Sequence, residues 1–254
     1  LEGLIMNYNV NLLAKSTNIR KKLGEDVDSP IDIFALVQGV PKLTMVLYHL
    51  GEKISGACIK SGDSAVIAIN TDKTLGRQRF SLAHELYHYY FDDVTTSVIC
   101  LAQIGKGNVN ERKADIFASY LLLPQTALVR FIESLPAGKD KITLAQVVWL
   151  EQTFGMSRQA ILFRLQQEDI ITPAFAAKMC KNVIIGAAKL GYDTSLYKRT
   201  PELQQKGAFG HYVGMANELL QKGLISQGKY EEILLDAGRD DIVYGNGEEE
   251  AMID

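Results

Sequence analysis

Arg77-Gln78-Arg79-Phe80-Ser81-Leu82-Ala83-His84-Glu85-Leu86-Tyr87-His88-Tyr89-Tyr90-Phe91 runs without proline or glycine and holds two of the chain's four histidines. Its apolar positions (Phe80, Leu82, Ala83, Leu86, Tyr87, Tyr90, Phe91) cover most of a helical cylinder, which predicts a largely buried helix. His84 and His88 are four residues apart, so both imidazoles share one helical face and can converge on one point. Zinc takes imidazole nitrogens at about 2.0–2.1 Å, a convergence that adjacent turns allow. Glu85 points around the cylinder from His84 and is better placed to hold a water beside a metal than to bind the metal. The five residues from His84 to His88 read H-E-x-x-H, the zinc-peptidase pattern, with Glu85 as its general base. A surface helix with incidental His and Glu is the alternative, and the apolar flanks oppose it. On a buried helix the three polar groups need partners, which a metal supplies.

A catalytic zinc usually takes three protein ligands. Downstream, the stretch 108–124 reads as a second helix, with Asn108 or Asn110 as its cap and Pro124 after its end. Glu111, Asp115, Ala118 and Leu122 form one stripe along it, and Glu111 and Asp115 are its only acids. Glu111 is the natural third ligand. Asp115, one turn on, can accept a hydrogen bond from the far nitrogen of a ligand histidine and so fix its orientation. Acids in a first helical turn are also favoured by the helix dipole alone.

H-E-x-x-H followed by E-x-x-x-D resembles the gluzincin arrangement. R-x-R-F-S-L-A-H-E-L-x-H, beginning at Arg77, and E-R-K-A-D-I-F-A-S-Y-L-L-L-P, beginning at Glu111, look more closely like the ImmA/IrrE metallopeptidases. That family shows R-F-T-L-A-H-E-L-G-H and then E-x-E-A-N-x-F-A-A-x-L-L-M-P. The segment Ser64–Asn70 also resembles the strand that precedes the family's active helix, and the likeness extends over residues 30 to 170. Tyr87 stands where the family commonly has Gly, and Asp115 replaces the usual Asn; neither change removes a ligand.

Hydrophobic residues make up 47% of the 254 and charged residues 22%, as in ordinary globular chains, and there is room for two modest domains. A net charge of −3 implies no general affinity for nucleic acid or acidic membranes. Cys58, Cys100 and Cys180 are odd in number and far apart, so neither a disulfide framework nor a zinc knuckle is expected. No secretion signal and no apolar run of bilayer length is seen, and a cytoplasmic location is expected.

The predicted fold is α+β: a small antiparallel sheet packed on the H-E-x-x-H helix, then a mainly helical C-terminal region. Helices are predicted near residues 9–23 and 30–39, the second with Ile31, Phe34, Ala35 and Val37 inward. Strands follow at Thr44–His49, Ile54–Lys60 and Ala65–Asn70, with turns at Gly51 and around Gly62. The last strand (Ala65, Val66, Ile67, Ala68, Ile69, Asn70) is a candidate for pairing with an extended substrate, though a plain structural strand fits equally well. Residues 144–167 have helix-turn-helix spacing, with Arg158 and Gln159 at the start of the second helix. The absence of a basic cluster favours a packing hairpin over a reader of DNA. The division drawn is a peptidase domain over 1–170 and a docking or regulatory region over 171–254. The latter is predicted as a helix over Thr172–Leu190, irregular chain to Gly210, helices over His211–Gly223 and Ser226–Ala237, and an acidic end from Gly245 that frays. Tyr87, Tyr90, Arg77, Arg79 and His211 are all open as oxyanion stabilisers.

The ImmA/IrrE resemblance implies a site-specific zinc endopeptidase, with one ion per chain. Its partner would be a helix-turn-helix repressor or antitoxin-like protein encoded nearby. Two histidines and a carboxylate also bind Mn or Fe. The competing readings are a catalytically silent regulator that binds its partner through the same fold, and a DNA-binding protein.

Overall fold

The computed structural model describes residues 2–92, 97–101, 103–201 and 206–245, without the side chains of residues 2–8, 97–99 and 101. Helices α1 (Glu2–Lys22) and α2 (Ile33–Gln38) lead into strands β1 (Leu43–Tyr48), β2 (Ile54–Ser61) and β3 (Ser64–Asn70). Helix α3 (Leu75–Phe91) carries the H-E-x-x-H residues. It is followed by β4 (Ser97–Leu101) and by helices α4 (Val109–Leu122), α5 (Gln125–Glu133), α6 (Leu144–Phe154) and α7 (Arg158–Gln167). The remainder comprises α8 (Pro173–Met179), α9 (Val183–Lys189), a single 3-10 turn at Ser195–Tyr197, β5 (Gly207–Gly210), α10 (His211–Gln221), α11 (Gln227–Asp236) and α12 (Asp240–Tyr244). The acidic end beyond Gly245, expected to fray, lies outside the described residues.

The class is α+β, but the sheet is mixed rather than antiparallel. Its five strands run in the order β4-β2-β3-β1-β5. β2 and β3 form a hairpin about Gly62, whose φ of 59° suits a residue without a side chain. β3 then returns into the gap between β2 and β1, where it lies parallel to β1. This placement corrects the reading of Ala65–Asn70 as a substrate strand. β3 is hydrogen-bonded on one edge to β1 and on the other to β2, so it has no edge left to offer. Asn70 has a structural task instead. Its amide donates to the carbonyls of Gly51 and Ile54, and its oxygen accepts from Leu50 and Asp72, tying down the crossing from β1 to β2.

β4 and β5 were not foreseen. β4 is the edge strand beside β2, while β5 extends the other edge beside β1. Through β5, and a hydrogen bond from the Tyr212 amide to the Thr44 hydroxyl, the C-terminal region joins the sheet of the first 170 residues. The helix expected over Thr172–Leu190 is broken in two, because Asn182 adopts a left-handed φ of 51° that a continuing helix cannot include. In α2 it is Ile33 and Val37, one turn apart, that are buried, and Ala35 faces out.

α3 packs on β2 and β3 with one side and on α4 with another, which explains why apolar residues ring its cylinder. Ile67 and Ile69 from the sheet, Phe80, Leu82 and Leu86 from α3, and Phe117, Ala118 and Leu121 from α4 are all buried in this core. Arg20, near the end of α1, is itself buried and donates to the Leu121 carbonyl at 2.6 Å, fastening α1 to the end of α4. Among the described residues no single helix is long and apolar enough to cross a membrane. α4 and α5 would suffice only together, and they are bent by 65°.

The α6–α7 hairpin turns at Gly155, in left-handed conformation, and Ser157 caps α7 by accepting from the Ala160 amide. Arg158 does not face outward as a reader of DNA would need. It is buried and ion-paired with Glu151 of α6, which also accepts from the Tyr197 hydroxyl. The hairpin corner lies directly against the first turn of α3, where a Cβ on Gly76 would stand 2.8 Å from the Ser157 backbone nitrogen. Backbone cannot yield as a side-chain tip can. Gly76→Ala is therefore expected to lose about 1–3 kcal/mol of stability, read as a lowered midpoint in denaturant unfolding at unchanged slope.

Candidate metal centre

α3 and α4 run side by side with their polar residues facing across the seam. His84, Glu85 and His88 come from α3, and Glu111 and Asp115 from α4. Asn108 starts α4 at that point, its side chain accepting from the amides of Asn110 and Glu111, so Glu111 sits in the first turn. The His84 and His88 Nε2 atoms are 3.2 Å apart. The Glu111 carboxylate reaches both, with Oε2 at 3.4 Å from His84 Nε2 and Oε1 at 3.5 Å from His88 Nε2.

The opposite nitrogen of each ring is committed elsewhere. His84 Nδ1 is 2.8 Å from Asp115 Oδ1, the contact expected of Asp115, whose other oxygen accepts from the Gly105 amide at 2.6 Å. His88 Nδ1 is 2.7 Å from Asp92 Oδ2, and the Asn110 amide holds both Asp92 oxygens at 3.0 Å. An ionised carboxylate only accepts, so each Nδ1 carries the hydrogen and each Nε2 presents a lone pair. Two bare lone pairs and a carboxylate thus face one another at contact distance, a set that needs a proton or a cation between its members. Bonds of about 2.0–2.1 Å in a tetrahedron put neighbouring ligand atoms roughly 3.3–3.4 Å apart. The observed separations of 3.2, 3.4 and 3.5 Å fit that figure, so the donor set suits a metal ion.

The electrostatics agree. Burial alone would lower the His84 pKa, but its hydrogen bonds to Asp115 and Glu111 outweigh this and raise it to about 9, so without a metal the ring keeps a proton. Burial, and then the charge on His84, lower that of His88. Burial would raise Glu111, yet the His84 hydrogen bond and charge bring it below the usual carboxylate range. Glu85 is fully buried, and burial raises its carboxyl to about 7.

Glu85 lies beneath the cluster against β2, where a Cβ on Gly56 would come within 2.7 Å of Oε1; only glycine leaves that space. His84, the Cys100 thiol, Glu111 and Arg77 all bear on its carboxylate. The structure adds one residue to the cluster that the sequence reading left aside. The sulfur of Cys100, on β4, lies with the ligand atoms of His84, His88 and Glu111 inside a group no more than 4.8 Å across. Its thiol is pushed far up, by burial first and then by the Glu85 charge.

Asp92 and Gly56 were also passed over. Asp92 follows His88 by four residues, the spacing of a side-chain pair on one helix face, and that was its only signal. Of the five residues considered for an oxyanion, Arg77 is the one whose charge bears on Asp115, Cys100 and Glu85. It is buried, with Nε and Nη1 unpartnered among the described residues. Arg79 is spent on the Ile31 carbonyl and Asp32, Tyr87 packs with Phe91 and Phe117, Tyr90 lies under Lys22, and His211 starts α10.

The pairing of His88 with Asp92 generates a direct test. Asp92→Ala frees the His88 ring to turn and lowers its basicity, so metal affinity measured against a competing chelator should fall about 10–100-fold. Unchanged affinity would show that Asp92 does not support the site.

Residues 44–166 match the family model Peptidase_M78, described as an IrrE N-terminal-like domain. The match begins in β1 and ends in α7, so it takes in every residue of the centre and the α6–α7 hairpin. No curated protein matches the chain significantly. With the H-E-x-x-H helix and the facing acidic helix inside it, the stretch 44–166 belongs to the IrrE N-terminal-like domains of the Peptidase_M78 family.

Proposed function

We propose that the chain is a zinc-dependent endopeptidase that cuts a helix-turn-helix repressor or antitoxin-like partner at a specific site. The observation that carries the enzymatic part is the convergence of His84 Nε2, His88 Nε2 and Glu111 at tetrahedral spacing, with Glu85 beside them. His84, His88 and Glu111 would hold the ion. When bound, zinc supplies a Lewis acid that polarises a carbonyl and lowers the pKa of water. Mn or Fe suits the same donors, and metal content decides among them.

Asp115 and Asp92 keep the two imidazoles in the tautomer that presents Nε2, and they hold the rings in place. Glu85 takes a proton from the attacking water and returns it to the leaving amine. Its position under Gly56 holds the carboxylate against β2, beside Cys100. Arg77 is our candidate for steadying negative charge on the carbonyl oxygen. An extended substrate would pair with β4, the strand at the cluster's edge of the sheet, rather than with β3.

The partner class rests on the family resemblance, and the proposed cytoplasmic location on three cysteines that form no disulfide framework. Residues 171–254, outside the matched domain, are proposed as the docking or regulatory region. No direct contact with nucleic acid is proposed, because Arg158 is buried in its pair with Glu151.

Two substitutions test this reading. Glu111→Ala should abolish or greatly weaken the binding of about one zinc per chain, read by elemental analysis of protein purified without chelator. Glu85→Gln should keep the metal and slow cleavage of the cognate repressor by about 10²–10⁴-fold. If the partner's response survives Glu85→Gln intact, the chain acts by binding instead.

A further inference from the structure

Hydrolysis as set out above has no task for Cys100, yet the fold delivers it to the metal centre. It is 1% exposed and lies on the edge strand β4, directly opposite Gly56 of β2. Residues paired across two strands project from the same face of the sheet. The face of Gly56 is the one Glu85 presses against, so Cys100 is turned toward α3. Beside this pair the register of β2 and β4 slips between Ile54 and Gly56, the kind of irregularity that re-aims a side chain next to a site. The Cys100 sulfur thereby joins the donors of His84, His88 and Glu111, all within 4.8 Å of one another. The second observation is Glu85 itself. Its carboxylate is fully buried in the same place, and the Cys100 thiol bears on it by charge and by a hydrogen bond.

We propose that Cys100 is a fourth ligand to the metal, holding the centre closed until β4 shifts and the sulfur leaves. The proposal rests on the zinc-peptidase reading and adds a resting state to it. A catalytic zinc keeps one position open, whereas four protein ligands make a closed site. Two histidines, a carboxylate and a thiolate complete such a set. The thiol gives its proton to solvent when sulfur binds the ion and regains one when it leaves. β4 suits this task, since among the described residues it is paired on one side only and can move without parting β2 from β3. Cys58 and Cys180 stand outside the cluster.

The experiment is X-ray absorption on the full chain loaded with one zinc, comparing the native protein, Cys58→Ala/Cys180→Ala and Cys100→Ala. The expected result is a sulfur at about 2.3 Å in the first two and only nitrogen and oxygen neighbours in Cys100→Ala. Acetohydroxamate, used as a probe of an open position, should bind zinc-loaded Cys100→Ala at least tenfold more tightly than native protein, about 1.4 kcal/mol. Cys100→Ser, nearly the same size, replaces the alanine variant if that one does not fold. Stoichiometric zinc with no sulfur neighbour in the native protein overturns the proposal and leaves the His84–His88–Glu111 site standing. Equal hydroxamate affinity in native and variant protein overturns the closed state. Failure of the native chain to take up zinc overturns the peptidase reading itself.

Discussion

Two imidazoles with their Nδ1 hydrogens committed to Asp115 and Asp92 point bare Nε2 atoms at each other across 3.2 Å, with a carboxylate closing the third side. Lone pairs do not gather in a buried seam without something positive among them. Much of the surrounding architecture serves to hold this arrangement. α3 is apolar around its cylinder because it is gripped by the sheet on one side and α4 on the other. α4 begins at Asn108 so that Glu111 falls in its first turn, level with the histidines. Arg20 and the α6–α7 hairpin then brace the two helices from outside the seam.

The sheet contributes by shape as much as by pairing. Gly56 leaves a notch in β2 into which Glu85 fits, and its partner across the ladder is Cys100. A notch beside the Cys100 sulfur brings Glu85 and the edge strand to one spot. The pairing of β4 with β2 thus bears directly on the surroundings of Glu85. Pairing on β3 would not have this effect, since β3 is held on both edges.

The C-terminal region is less separate than its composition suggests. β5 extends the sheet through β1, and Tyr212 bonds to Thr44, so changes in residues 171–254 have a backbone route to the strands under α3. The α6–α7 hairpin has helix-turn-helix spacing, but its leading arginine is buried in a pair with Glu151. The same local pattern that serves groove binding elsewhere serves packing here.

Local chemistry made the helical half of the site legible in the sequence. A spacing of four residues puts His84 and His88 on one face whatever the rest of the chain does, and Glu111 with Asp115 repeats that geometry on α4. The positions of β1, β2 and β3 and their turns could also be read, because alternation and glycine act over a few residues, whereas β4 and β5 could not. The strand order could not, since β1 pairs with β3 across some twenty residues of sequence and β5 joins from more than a hundred and fifty away. Cys100 and Gly56 were silent for the same reason. A lone cysteine and a lone glycine acquire meaning only when pairing of β2 with β4 sets them side by side beneath Glu85. The candidate ligands on helices were thus written in local periodicity, while the placing of Cys100 and Gly56 beside them was decided by long-range strand pairing, which no short stretch of sequence encodes.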